Sequence, residues 1–125
     1  MYLKNFKTIV IKIGSSLLIN DTKTIRKKWL SEFAKDIKDL LNDKKNVIIV
    51  SSGAIALGCK KLNLNKKKLK LDKSQSVASI GQIELMNLYQ NVFKKLKIKI
   101  SQILLTLEDT EQRRRSINAR RTIDN

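Results

Sequence analysis

Two short stretches hold most of the chemistry this chain can offer: "VIKIGSS" at residues 10–16 and "VIIVSSGA" at residues 47–54. Each joins an apolar, β-branched run to a cluster of glycine and serine. In the first, Lys12 interrupts a strand that otherwise reads as buried on both faces, and an isolated buried ammonium is costly. Either its side chain snorkels to solvent from a sheet edge, or it lies near a ligand-facing strand end. In the second case an anion compensates it, with Gly14 and Ser15 supplying backbone donors. In the second stretch, Ser51 or Ser52 is placed to cap a following helix, and Gly53 lets another group approach the backbone closely. The free N–H groups and positive dipole end of that helix suit a carboxylate or a phosphate. An ordinary strand-to-helix turn uses the same residues, so spacing alone leaves both readings open.

Residues 53–60, "GAIALGCK", come close to a phosphate-binding loop and miss it. That loop needs G-x-x-x-x-G-K-[ST], with lysine directly after the second glycine and a hydroxyl next to bind magnesium. Here Cys59 holds the lysine position, Lys60 comes one place late and Lys61 replaces the hydroxyl. On a helix that shift turns Lys60 by about 100 degrees. The intervening "AIAL" favours continuous helix over a glycine-rich cradle.

The elements that must position these residues alternate in type. Thr8–Ile13 and Val47–Val50 read as buried strands. Between them, Ile25, Trp29, Phe33, Ile37, Leu40 and Leu41 recur at helical spacing, behind a cap expected at Asp21 or Thr22. A short helix is expected over about 54–62, then a polar, lysine-rich loop over 63–73. A long amphipathic helix from Ser74 runs through Val77, Ile80, Leu85, Leu88, Val92 and Leu96. "KIKISQILLT" (97–106) reads as a third strand, followed by cap chemistry and a helix-permissive run. Strands alternating with helices predict an α/β domain with a mainly parallel sheet, whose ligands gather at the C-terminal strand ends.

Composition narrows the function classes. At 125 residues, 42% hydrophobic and 30% charged, the chain reads as one globular domain at most. No apolar run approaches membrane-span length, and no signal-peptide cleavage site follows the N-terminal apolar segment. With Cys59 alone and no His, a disulfide framework and a zinc site are excluded, and a reducing cytoplasm is the expected setting. The net charge of +16 raises a basic nucleic-acid-binding module as an alternative. Against it, the lysines are scattered, the consecutive Arg113, Arg114 and Arg115 fan out around a helix, and no aromatic recognition motif accompanies them. Abundant Lys, Asn and Ile with no Pro favour compositional drift, so nucleic acid is not the expected partner.

Taken in order, "VIKIGSSLL", "VIIVSSGAIALG", "QSVASIGQIELMNLYQNVF", "QILLTLED" and "RRRSINARRTID" resemble the N-terminal portion of the amino acid kinase family, in its glutamate-phosphorylating subgroup. The resemblance implies a three-layer α/β/α sandwich, C-terminally incomplete in this chain, and ATP-dependent phosphorylation of the side-chain carboxylate of L-glutamate, with Mg2+ bridging ATP oxygens. It assigns Lys12, Gly14 and Ser15 to the nucleotide, Lys12 approaching the transferring phosphoryl group as the catalytic cation. It assigns Ser52, Gly53 and Ala54 to glutamate, and no metal ligand to this chain. Asp109 receives no role. On the same resemblance, residues 1–125 form the N-terminal part of a kinase domain. The nucleotide-binding half and any C-terminal domain are absent, and the 125 residues are expected to be inactive alone. The resemblance leaves room for a homo-oligomer of the full-length protein. A second member of the family, acting on another carboxylate, carbamate or phosphate, is the nearer alternative.

Overall fold

The computed structural model describes residues 2–105 and 107–125. A 3₁₀ turn at Tyr2–Asn5 leads into β1 (Thr8–Ile13), α1 (Ser15–Leu18), α2 (Lys27–Asn42), β2 (Asn46–Ser51) and α3 (Ala54–Lys61). A second 3₁₀ turn at Lys66–Lys68 precedes α4 (Leu71–Lys95), α5 (Leu107–Glu111) and α6 (Arg113–Asp124). β1 and β2 pair in parallel, with Ile11 opposite Ile49 and Ile13 opposite Ser51. Parallel neighbours need a long crossover, and α1 with α2 supplies it. The α/β alternation and parallel sheet expected from the sequence are therefore present.

One face of this sheet is covered. Ile11, Ile13, Val47 and Ile49 pack with Leu30, Ala34 and Ile37 of α2 and with Leu85, Tyr89 and Phe93 of α4. Fully burying an apolar side chain of this size stabilises by about 1.5–3 kcal/mol, so this cluster is the main source of stability. The rings of Trp29, Phe33, Phe93 and Tyr89 make a continuous chain of aromatic contacts from α2 to α4, with centroids 5.3, 6.5 and 6.1 Å apart. The other face, bearing Thr8, Val10 and Lys12, is open, and Val10 and Val50 are 62% and 51% exposed. The expectation that β1 is buried on both faces is thus corrected. The alternation along β1 puts Lys12 on the open face, so its ammonium carries no burial cost.

α3 and α4 form the most extensive helix pair. A Cβ on Gly58 would overlap the Val77 carbonyl oxygen, and one on Gly81 would overlap that of Ala54. These two glycines let the helix backbones touch. Along α4 the buried residues fall at Val77, Gly81, Leu85, Tyr89 and Phe93. Four-residue steps drift by about 40 degrees each, which carries the stripe from α3 at one end to the sheet at the other.

Three expected boundaries shift. The cap at Asp21 or Thr22 is replaced by a closed loop, and α2 starts at Lys27. Ile19 and Ile25 form an antiparallel bridge, while the Asn20 side-chain oxygen accepts from Thr22 Oγ1 at 2.8 Å and from the Thr24 amide at 2.7 Å. α4 begins at Leu71, three residues before Ser74. The third strand over 97–106 does not form in residues 97–105, and Thr106 lies outside the described residues. Lys97 adopts φ 57° and the Ile98 amide donates to the Phe93 carbonyl at 3.0 Å, a helix C-terminus that holds the start of the segment on α4. α6 carries its arginines on a helix with no buried residue, and the Arg115 guanidinium pairs with Glu108 at 3.0 Å. Among the described residues no helix is long and apolar enough to cross a membrane.

Candidate active site

The register places the ends of β1 and β2 side by side, so the turns that follow them leave the sheet together. The Ser52 amide donates to the Ile13 carbonyl at 3.0 Å, and Ser52 Oγ reaches the same oxygen at 3.4 Å. Gly53 then takes φ +128° and ψ −4°, a conformation that L side chains rarely adopt, and serves as the N-cap of α3. Its Cα hydrogen faces the first turn: a Cβ there would sit 3.3 Å from Leu18 Cδ1 and 3.8 Å from Ser15 Cα. The two glycine turns are therefore packed against each other, and Gly14, Ser15, Ser52, Gly53 and Ala54 form one cluster at the C-terminal edge of the sheet.

The two turns differ in their donors. No side chain caps α3, and its first turn contains no acidic residue. The expected capping by Ser51 or Ser52 does not occur because Gly53, one residue later, takes the cap position. Ser51 Oγ instead lies 2.8 Å from the Tyr89 hydroxyl and donates to the Ser52 carbonyl at 3.2 Å. Among the described residues no side chain takes up the first amides of α3, which a helix start leaves available to another partner. Gly14 has ordinary extended angles, φ −76° and ψ 156°, with nothing within 4 Å of where its Cβ would be. That turn has room beside its backbone.

Lys12 stands one residue before the end of β1, opposite Val50 on the open face. Among the described residues no hydrogen bond or ion pair engages its ammonium. A compact cation of this kind, next to unclaimed amides, can neutralise an anion delivered to the strand ends. The structure gathers Gly14, Ser15, Ser52, Gly53 and Ala54, and puts Lys12 on the adjoining strand end with its side chain on the open side of the sheet.

The near-miss phosphate loop has other uses for its residues. Gly58 permits the α3–α4 contact, and Cys59 is buried. Lys60 Nζ donates to the Lys23 carbonyl at 2.6 Å and lines a cleft together with Asn20, Thr24, Arg26, Trp29 and Glu32. None of the six expected site residues lines that cleft.

Sequence reasoning missed Tyr89. It is 4% exposed, and burial raises its hydroxyl above the ordinary pKa of 10.0, outweighing the lowering effect of the Ser51 hydrogen bond. The available signal was its position: Leu85, Tyr89 and Phe93 share one stripe of α4, and a phenol in such a stripe needs a polar partner across the core.

Residues 7–125 match the amino acid kinase family. The chain is 74% identical, over its whole length and 34% of the relative, to a glutamate 5-kinase of Pelagibacter ubique (strain HTCC1062). It is 50% identical over 98% of its length to a glutamate 5-kinase of Nitrobacter hamburgensis, of which it covers 33%, and 49% identical over 98% to one of Brucella abortus (strain S19), of which it covers 32%. The chain spans about a third of the length of these relatives. With two glycine turns meeting at the C-terminal edge of a parallel strand pair, and a family match running from Lys7 to Asn125, the chain belongs to the amino acid kinase family.

Proposed function

We propose that these residues serve ATP-dependent phosphorylation of the side-chain carboxylate of L-glutamate, giving glutamyl 5-phosphate, as the first step of proline biosynthesis in the cytoplasm. The observation that carries this reading is the contact between the two strand-end turns, one open beside Gly14 and one with uncapped amides at Gly53 and Ala54. The transfer forms a bond between a glutamate carboxylate oxygen and the γ-phosphorus of ATP and breaks the bond to ADP, so no protein nucleophile is required. Catalysis then rests on positioning and charge neutralisation. The Ser52 hydroxyl and the amides at the start of α3 hold the glutamate. Lys12, with the backbone at Gly14 and Ser15, approaches the phosphate oxygens.

Among the described residues no cluster of three His, Cys, Asp or Glu is placed to hold a metal ion. A Mg2+ ion accompanying ATP would supply further charge neutralisation at the phosphates. Charge neutralisation by this chain falls to Lys12 and the backbone donors.

The test replaces the matching N-terminal segment of the Pelagibacter ubique relative with residues 1–125 and follows acyl phosphate formation by hydroxylamine trapping. The chimera is expected to phosphorylate glutamate. Lys12→Ala is expected to lower turnover by about a hundredfold or more, with an unchanged circular dichroism spectrum. Preference for aspartate or N-acetylglutamate would replace the substrate assignment, and undiminished turnover in Lys12→Ala would remove the charge role.

A further inference from the structure

The hydroxyl chain behind the second turn has a direction that follows from counting protons. Ser51 has one hydroxyl hydrogen, and the Ser52 carbonyl oxygen 3.2 Å from its Oγ can only accept. Either hydroxyl could donate across the 2.8 Å contact between Ser51 Oγ and Tyr89, and both contacts are hydrogen bonds at once only with Tyr89 as donor. The order is Tyr89 O–H to Ser51 Oγ, then Ser51 O–H to the Ser52 carbonyl. That carbonyl belongs to the Ser52–Gly53 peptide, and in a trans, planar peptide the Gly53 N–H points opposite to it. Fixing the carbonyl therefore fixes the direction of the Gly53 amide.

The donor at the start of this chain is itself immobilised. The Tyr89 ring is stacked on Phe93 with an interplanar angle of 13°, and Phe93 meets Phe33 edge-on at 65°. Phe33 is stacked on Trp29. Aromatic rings in such contacts have few rotamers open to them, so the phenol oxygen is held where Ser51 needs it. Among the described residues no such hydroxyl chain backs the first turn, where nothing lies within 4 Å of the place a Gly14 Cβ would take.

We propose that Tyr89 is a positioning residue for the Ser52–Gly53 turn: acting through Ser51, it holds the Ser52–Gly53 peptide in the orientation that presents the Gly53 amide to the carboxylate ligand. The assignment rests on the glutamate reading above, and its test separates the two.

The first measurement uses the 125-residue chain and its amide spectrum. In Tyr89→Phe, which keeps the ring stack, the Gly53 and Ala54 amide resonances are expected to shift and their hydrogen exchange to quicken, with Ile9 and Val10 unchanged. Ser51→Ala is expected to reproduce this pattern. The second measurement uses the glutamate-phosphorylating chimera. There Tyr89→Phe is expected to raise the glutamate KM about five- to tenfold with the ATP KM unchanged, the effect of losing one hydrogen bond. The double variant is expected to be no worse than the worse single one. An unperturbed Gly53 amide overturns the proposal, and so does a glutamate KM that stays at the parent value while only thermal stability falls. Additive effects of Tyr89→Phe and Ser51→Ala also overturn it, because two members of one chain cannot act independently. A chimera that fails on glutamate counts against the substrate reading alone, and the amide spectrum then decides the positioning role.

Discussion

The two strand-end turns look alike in the sequence, each a strand followed by glycine and serine, yet they are built on different principles. At the first, Gly14 has angles that any residue adopts, and the space its Cβ would take is open. At the second, Gly53 has φ +128°, its neighbours lie close, and α3 behind it is pressed onto α4 through Gly58 and Gly81. One glycine keeps space free, and the other makes a backbone shape possible. The lesson is that a rigid turn beside an open one suits a site that must fix one ligand and admit a second. In the proposed reading the rigid turn takes the small carboxylate and the open one the bulkier nucleotide.

The largest expected effect comes from loading the rigid turn from behind. A Cβ at Gly81 would overlap the Ala54 carbonyl oxygen, which is backbone and cannot rotate away. Gly81→Ala is expected to destabilise the chain by about 3 kcal/mol or more, as overpacking against a fixed neighbour does. Urea denaturation followed by circular dichroism measures it. A variant with parent stability would show that α3 can shift freely, and the contrast between the turns would lose its basis.

Gly53→Ala tests the rigid turn directly. The substitution puts a side chain at φ +128° and a Cβ 3.3 Å from Leu18 Cδ1. Strain of this kind costs about 1–3 kcal/mol. Because the Cβ would press on a side-chain methyl group at 3.3 Å rather than overlap a backbone carbonyl, the loss should fall below that of Gly81→Ala. The same denaturation experiment ranks the two.

Much of this contrast was legible in the sequence, and what was not has physical causes. The strands at Thr8–Ile13 and Val47–Val50 and the helix after Gly53 could be read because short β-branched runs and glycine turns are local signals. The membership of the strand-end cluster followed from the rule that parallel sheets collect ligands at their C-terminal edge. Tyr89, Gly58 and Gly81 could not be read in the same way, since their roles depend on which helix lies opposite. Selecting only aliphatic residues along α4 caught Val77 and Leu85 of the buried stripe but passed over Gly81, Tyr89 and Phe93, and added Ile80, Leu88 and Val92 beside it. The strand expected over 97–106 does not form in 97–105 because strand propensity needs a partner edge, and the start of this segment is tied by Ile98 to the end of α4. The burial of β1 on both faces was misjudged for a related reason: whether a strand is covered on one face or two is set by the elements packed on it.

The smallest effect on stability is expected at Gly14, and it sharpens the comparison most. Gly14→Ala keeps φ −76° and ψ 156° and adds a methyl group that meets nothing within 4 Å. Removing a glycine from a position whose angles alanine accepts restricts the unfolded chain, so stability should stay level or rise by about 0.4–1 kcal/mol. If the open turn receives phosphate oxygens, the methyl group occupies their approach, and the ATP KM of the chimera should rise with glutamate KM unchanged. A destabilisation equal to that of Gly53→Ala would mean that the two turns are built alike after all. Parent values for both stability and ATP KM would move the nucleotide away from Gly14 and leave the space beside it without a ligand. A rise in the ATP KM without any loss of stability is the result that only an open, ligand-facing glycine can give, because no contact within the protein is available to be broken.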